Sequence, residues 1–426
     1  MMILLYGLIF FALLISGIPI AFVLGITSLI TLGFFSSTPL LIIPEIMYNA
    51  LASFPLMAIP FFVIAAEFMA RGGSSKYLIN AANAVVGFLP GGLAIVCVLT
   101  SMIFAAICGS SVATALAMGV IIIPAMMNRG YPQSFSSGLV AASGTMGILI
   151  PPSIPLILYG IIADESIPKL FMAGFLPGLL QGALYIGWII YYSKKMNYRG
   201  DTLKSGEEIG TALLKALPAL CIPVVVIGGI YTGFVTVTEA AALGAVAAIF
   251  VSLAVYRECR IRDVVEITAQ SMKAAGMIMF IISTAIVFGT WLTQEGIPAQ
   301  LVDYVREFEI PWWGFLFVVN VMLIILGMFL EVVSIMLITL PIFLPMVHAF
   351  GINPIHFAII ITVNMELALI TPPVGLNLYV LSNVTQAPLS TVVRGVFPFT
   401  VLSAILLLLV TYWPTLSLYL PGLLMK

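Results

Sequence analysis

The sequence predicts an all-α polytopic membrane protein, and three observations carry that expectation. Of 426 residues, 62% are hydrophobic and 8% charged, with a mean hydropathy of +1.21, a composition that no soluble domain of this length tolerates on its surface. Apolar runs separated by short polar breaks cover almost the whole length, without the alternating polar positions of a membrane-barrel strand. Finally, Gly147-Ile-Leu-Ile-Pro-Pro-Ser-Ile-Pro155 recurs 221 residues later as Ala368-Leu-Ile-Thr-Pro-Pro-Val-Gly-Leu376, both inside stretches long enough to cross a bilayer. Backbone groups freed by proline are costly in hydrocarbon unless protein, water or an ion satisfies them. Pro151-Pro152 and Pro372-Pro373 therefore imply breaks that line a site.

Taken in order, the apolar spans run near 2–16, 17–35, 46–70, 91–128, 133–162 and 170–193, then 213–234, 237–256, 274–293, 312–349, 355–382 and 395–421. Met1 leads into the first without a basic n-region or a small-residue cleavage site, so a removable signal peptide is not expected. Two amphipathic stretches, Ser74 to Phe88 and Pro298 to Glu309, precede the long spans 91–128 and 312–349 and read as helices in the interface plane. Cys97, Cys108, Cys221 and Cys259 lack metal-ligand spacing and read as packing residues.

If 91–128 and 312–349 each dip in and return, 13 of the 16 Lys and Arg fall on one side, leaving Lys169, Arg306 and Lys426 on the other. Short basic loops favour the cytoplasm, so the linker 194–212 is expected inside. Two full crossings per long span give the same count, so charge leaves hairpin and helix pair open. The 221-residue offset also aligns Pro124 with Pro345, Gly130 with Gly351, Gly174 with Gly395 and Pro177 with Pro398. Four of the seven prolines between 124 and 177 find partners, where 26 prolines in the chain predict fewer than one. The expectation is two repeats of opposite orientation, 1–193 and 213–426, each with a re-entrant hairpin and a broken helix (133–162, 355–382). Such inverted repeats with a site at their interface are a construction of secondary transporters.

The first long span carries Gly109, Ser110 and Ser111 at its centre, a candidate hairpin tip whose hydroxyls, carbonyls and amides suit a cation or an anionic group. The same small residues also suit close helix packing. Glu331 and Ser334 occupy the matching tip; an intramembrane carboxylate implies function, with capping of the next half-helix as the alternative. Ser143, Gly144 and Thr145 precede the first double proline, and Asn364 and Glu366 the second. Ser153, Thr371, Gly375 and Asn377 follow or flank the breaks. This hard-oxygen set suits Na⁺ rather than a soft metal, giving two candidate Na⁺ sets: Gly109, Ser110, Ser143 and Thr145, and Glu331, Asn364 and Glu366. Glu239, in Thr236-Val-Thr-Glu, reads as a helix cap. His348 and His356 fall at the rim. No phosphate loop and no His-Glu-x-x-His is present, so neither ATP hydrolysis by this chain nor intramembrane proteolysis is expected.

Gly109-Ser-Ser-Val-Ala-Thr-Ala115, Gly147 to Gly160, Tyr231-Thr-Gly-Phe-Val-Thr-Val-Thr-Glu-Ala-Ala241, Gly327-Met-Phe-Leu-Glu331 and Ile370 to Leu378 together resemble the large membrane subunit of tripartite ATP-independent periplasmic (TRAP) transporters. The resemblance spans essentially the whole chain. It implies Na⁺-driven uptake of an organic acid such as sialic acid or a C4-dicarboxylate across a bacterial inner membrane, by an elevator mechanism and without further cofactor. It also implies two partners, a small four-helix membrane subunit and a periplasmic substrate-binding protein, and no nucleic acid. In that family the tips and facing breaks hold ion and substrate, which maps onto Gly109 to Ser111 with Ser143 to Thr145, and Glu331 to Ser334 with Asn364 to Glu366. This chain departs from the family in having Glu331 where Asp is usual and Ala368 where Gly is frequent. A selective channel is the alternative from another class; concentrative uptake separates the two.

Overall fold

The computed structural model describes residues 2–35, 39–198 and 200–425. Met1, Arg199 and Lys426, used in the terminus and loop-charge arguments, lie outside the described residues. The chain is all-helical among the described residues, with eight helices long and apolar enough to cross a membrane and shorter apolar helices between them. Helices dominate because in hydrocarbon every backbone N–H and C=O needs a partner, and the helix supplies it within one segment.

The first stretch comprises α1 (Met2–Ile15), α2 (Ile20–Phe35), α3 (Ile42–Leu51), α4 (Ala58–Arg71), α5 (Ser74–Val86), α6 (Gly92–Cys108), α7 (Ser111–Asn128), α8 (Gln133–Thr145), α9 (Ile154–Ile162) and α10 (Ile167–Met196). The second comprises α11 (Gly206–Tyr231), α12 (Val237–Phe250), α13 (Ile261–Gln294), α14 (Ile297–Glu307), α15 (Trp312–Gly327), α16 (Val332–Ala349), α17 (Pro354–Leu369), α18 (Leu376–Thr385), α19 (Leu389–Tyr412) and α20 (Thr415–Leu424). Both ends of α7 and α16 lie 221 residues apart, and so do the starts of α8 and α17.

Local chemistry sets the helix ends. Ser205 and Glu208 form a reciprocal capping box at the start of α11, and Thr236 and Glu239 do so at α12. Glu239 is thus a cap, as its sequence context implies: it accepts from the Thr236 backbone N–H and hydroxyl, each at 2.8 Å. The Asn353 side chain accepts from the Ile355 and His356 amides at the start of α17.

Among the boundaries that differ from the apolar spans, α11 starts at Gly206 rather than 213, inside the expected linker, because the Ser205 capping box opens it there, and three others have equally readable reasons. The 46–70 span is two helices, since Ser53-Phe54-Pro55 interrupts it with a 3₁₀ turn. The span from 395 divides at Trp413-Pro414 into α19 and α20. Conversely α13 begins at Ile261 rather than near 274 and runs 34 residues, its charged first turns extending past the apolar part. At 1.5 Å per residue it is about 50 Å long, well beyond a hydrocarbon core of about 30 Å. Arg71 ties that extension to α4, pairing with Glu67 at 3.3 Å and Glu266 at 3.7 Å and donating to Gln270.

α8 and α17 occupy the centre. Every residue from Phe135 to Thr145 and from Ile355 to Leu369 is buried, so these helices are enclosed on all sides. α8 crosses α19 backbone to backbone: a Cβ on Gly138 would strike the Gly395 carbonyl, and one on Gly395 the Ser134 carbonyl. The segment between α10 and α11 is fastened down. Asp201 pairs with Arg129 at 2.6 Å, accepts from Asn83 at 3.2 Å and donates its N–H to the Gly87 carbonyl at 2.8 Å.

Candidate functional site

The first tip is made by α6 stopping at Cys108 and α7 starting at Ser111. Gly109 takes φ +58°, a left-handed conformation that lets the chain reverse, and the Ser110 hydroxyl accepts from the Ala113 N–H at 3.5 Å as N-cap. The tip lies directly on the break between α8 and α9. A Cβ on Gly109 would lie 2.8 Å from the Pro152 carbonyl oxygen, and one on Gly147 would lie 2.6 Å from that of Ser110. Pro151 and Pro152 are buried. Ser153 spans the break, donating to the Ile148 carbonyl at 2.5 Å and accepting from the Leu156 N–H at 3.4 Å.

The second tip forms between α15 and α16, with Glu331 as the N-cap residue of α16. It too meets its break: the Gly375 N–H donates to the Met328 carbonyl at 3.1 Å, and Gly375 itself sits at φ +60° as it opens α18. The Glu331 side chain lies beside the Val333 and Ser334 amides yet makes no cap hydrogen bond of ordinary geometry. It is exposed, while Ser334 is buried. Thr371 donates to the Leu367 carbonyl at 2.6 Å, and Pro372 and Pro373 are exposed where their counterparts are buried. Both Pro–Pro bonds are cis.

The two tips share one cavity of about 70 Å³. Its lining contains five pairs set 221 residues apart: Ser110 and Glu331, Ser111 and Val332, Val112 and Val333, Ile148 and Leu369, Pro155 and Leu376. Each half thus contributes its tip, the last turn before its break and the first turn after it, while Ile278 of α13 closes one side. A direct link crosses the halves: Asn377 of α18 donates to the Ser111 hydroxyl at 2.7 Å and to the Ala141 carbonyl at 3.0 Å. A small, mostly apolar space ringed by hydroxyls, one carboxylate and two helix starts can hold a small ion or one polar group of a larger solute.

Of the seven residues expected to hold Na⁺, four lie away from this cavity. Residues two apart on a helix are separated by about 200° of rotation, so Ser143 and Thr145 face opposite ways, as do Asn364 and Glu366. Ser143 faces α6, in contact with Cys97 at 3.4 Å and Ser101 at 3.3 Å. Asn364 faces α15, donating to the Asn320 side chain at 2.9 Å and its carbonyl at 3.0 Å, while Asn320 donates to Thr411 at 3.0 Å. Thr145 reaches Tyr185, and Glu366 lies beside Gln181, both of α10. Gly144 packs on Ala115 of α7, where a Cβ would lie 2.8 Å from the alanine's own. The structure thus brings Gly109, Ser110, Ser111 and Glu331 together and sets Ser143, Thr145, Asn364 and Glu366 behind them. Sequence reading passed over Gln181, Tyr185 and Asn320. Gln181 and Asn320 were detectable as amides in the middle of apolar spans.

Residues 8–416 match the family described as tripartite ATP-independent periplasmic transporter, DctM component. The chain is 43% identical over 399 residues to the C4-dicarboxylate TRAP transporter large permease protein DctM of Pseudomonas aeruginosa, covering 94% of this chain and 93% of that one. It is 39% identical over 415 residues to the isethionate TRAP transporter permease protein DctMQ of Oleidesulfovibrio alaskensis, covering 97% of this chain and 65% of that one. In fold it resembles the YdaH transporter of Alcanivorax borkumensis, with a TM-score of 0.61 at 14% identity over 87% of each chain. By this match, and with its apolar helices, the chain belongs to the DctM family of TRAP transporter large permeases, multi-pass proteins of the bacterial inner membrane.

Proposed function

We propose that the chain performs Na⁺-coupled secondary uptake of a small organic acid by alternating access around the tip cavity. The observation that carries this reading is the cavity's paired lining, in which equivalent residues of 1–193 and 213–426 surround one space. Two inverted repeats joined by the linker 194–212 account for that pairing, with the hairpins (α6–α7, α15–α16) and broken helices (α8–α9, α17–α18) as the moving unit of an elevator and the remaining helices as its scaffold.

The donors available at the tips are hydroxyl, carbonyl and carboxylate oxygens, which suit Na⁺ as a co-transported ion. In this reading Ser110 and Ser111 present hydroxyls, Glu331 supplies the negative charge, and the first amides of α7 attract a carboxylate of the solute. The relatives named for C4-dicarboxylate and isethionate favour a short anionic acid as cargo. The match to part of a protein named DctMQ supports a small membrane subunit as partner, and the family description supports delivery by a periplasmic binding protein.

Uptake by the complex reconstituted in liposomes with a C4-dicarboxylate and its binding protein tests this. An inward Na⁺ gradient should drive accumulation without ATP. Equal uptake with and without the gradient contradicts the proposal.

A further inference from the structure

Away from the tips, a cleft of about 410 Å³ opens between α5 and the first turns of α11. Tyr77 and Asn80 of α5 form one wall. Glu207, Thr211 and Lys215, set at four-residue intervals along one side of α11, form the other. The walls are tied together beneath: the Tyr77 ring stacks on that of Tyr256 with centroids 4.2 Å apart, and the Tyr256 hydroxyl donates to the Lys215 carbonyl at 2.9 Å.

Two opposite charges in this cleft are uncommitted. Glu208 is spent on the capping box, accepting from the Ser205 N–H at 2.9 Å, and Lys76 beside the cleft pairs with Glu258 at 3.2 Å. The side chains of Glu207 and Lys215 form no ion pair or hydrogen bond among the described residues. Eight residues of helix hold their backbones about 12 Å apart, too far for them to neutralise each other.

Their order along α11 carries the argument. The helix runs from this charged start into an apolar length on which Leu214, Leu217, Val224 and Val225 are exposed. Lys215 therefore stands at the edge of the apolar zone, where its stem can lie along hydrocarbon with the ammonium at headgroup depth, and Glu207 stands two turns further out. A zwitterionic phospholipid presents the complementary order from the bilayer outward: acyl chains, then phosphate, then ammonium. A purely anionic headgroup would instead set its charge against Glu207 and Glu208 with one lysine in the lining to offset them. A choline headgroup has no N–H to donate to a carboxylate, whereas a primary ammonium donates a charge-assisted hydrogen bond.

We propose that the cleft is a headgroup site for an aminophospholipid, with the phosphate on Lys215 and Thr211, the primary ammonium on Glu207, and the acyl chains along the exposed apolar face of α11. Tyr77 and Asn80 close the other side. A bound lipid thus joins α11 to α5, the helix that leads into the first tip. The site stands apart from the transport reading and does not depend on it.

Native mass spectrometry of the full-length chain in detergent, titrated separately with dioleoyl phosphatidylethanolamine, phosphatidylcholine and phosphatidylglycerol, tests it. Phosphatidylethanolamine should load a first lipid at about tenfold lower concentration than the other two, the worth of one charge-assisted hydrogen bond. Glu207→Gln should reduce phosphatidylethanolamine to the level of phosphatidylcholine, and Lys215→Gln should weaken both alike. Both residues are exposed, so neither substitution disturbs packing. Equal loading of the three lipids by wild type, tighter loading of phosphatidylglycerol, no retained lipid, or wild-type loading in either variant overturns the site.

Discussion

Gly109 carries the most specific demand in the chain. Its φ of +58° places an L side chain in the left-handed region, and the Pro152 carbonyl occupies the space a Cβ would need. Gly109→Ala should therefore strain the tip by about 1–2 kcal/mol, on the order of a tenfold loss in the population of competent tips. Na⁺-driven uptake per reconstituted complex should fall accordingly, and a wild-type rate would show that the tip is not held against the break. This residue, with Ser110, Ser111 and Glu331, was legible because a Gly-Ser-Ser turn and a lone carboxylate are out of place within apolar spans. The facing of Asn364 and Glu366 was legible in principle, since helical rotation sends residues two apart to opposite sides. Their partners were not: Asn320 and Gln181 are far away in sequence, and only packing brings them near.

At the scale of elements, the crossing of α8 and α19 fixes how one half lies on the other. Glycine at 138 and 395 lets the backbones touch, which in lipid is a main source of helix association. Gly395→Ala should push the helices apart and cost about 1–3 kcal/mol, read as a lower thermal unfolding midpoint in detergent. Gly187→Ala in α10, where nothing lies within 4 Å of the added carbon, is the control; it should hold or gain up to about 1 kcal/mol, since alanine is the better helix former. Equal effects at the two positions would mean that the close crossing contributes nothing. Most helices could be drawn from apolar length and punctuation alone. The largest exception is α13: hydropathy ended it where charges began, although the helix continues, with Arg71 on α4 pairing the acidic and amide groups outside the apolar zone.

For the whole molecule, the 221-residue offset read from prolines and glycines reappears in the helix boundaries and in the paired lining of the tip cavity. The asymmetries are as informative. Pro151 and Pro152 are buried while Pro372 and Pro373 are exposed, and the one carboxylate in the cavity lining belongs to the second tip. This paired lining, buried at one break and exposed at the other, favours the proposed alternating access, in which a single cavity opens first to one side and then to the other. That claim is tested most directly by a single cysteine at Val112, in the cavity lining, with Cys97, Cys108, Cys221 and Cys259 replaced. Membrane-impermeant maleimide applied from the periplasmic or the cytoplasmic side should label it from one side at a time, the favoured side changing with the Na⁺ gradient. Labelling from both sides at once, or from the same side whatever the gradient, would contradict alternating access.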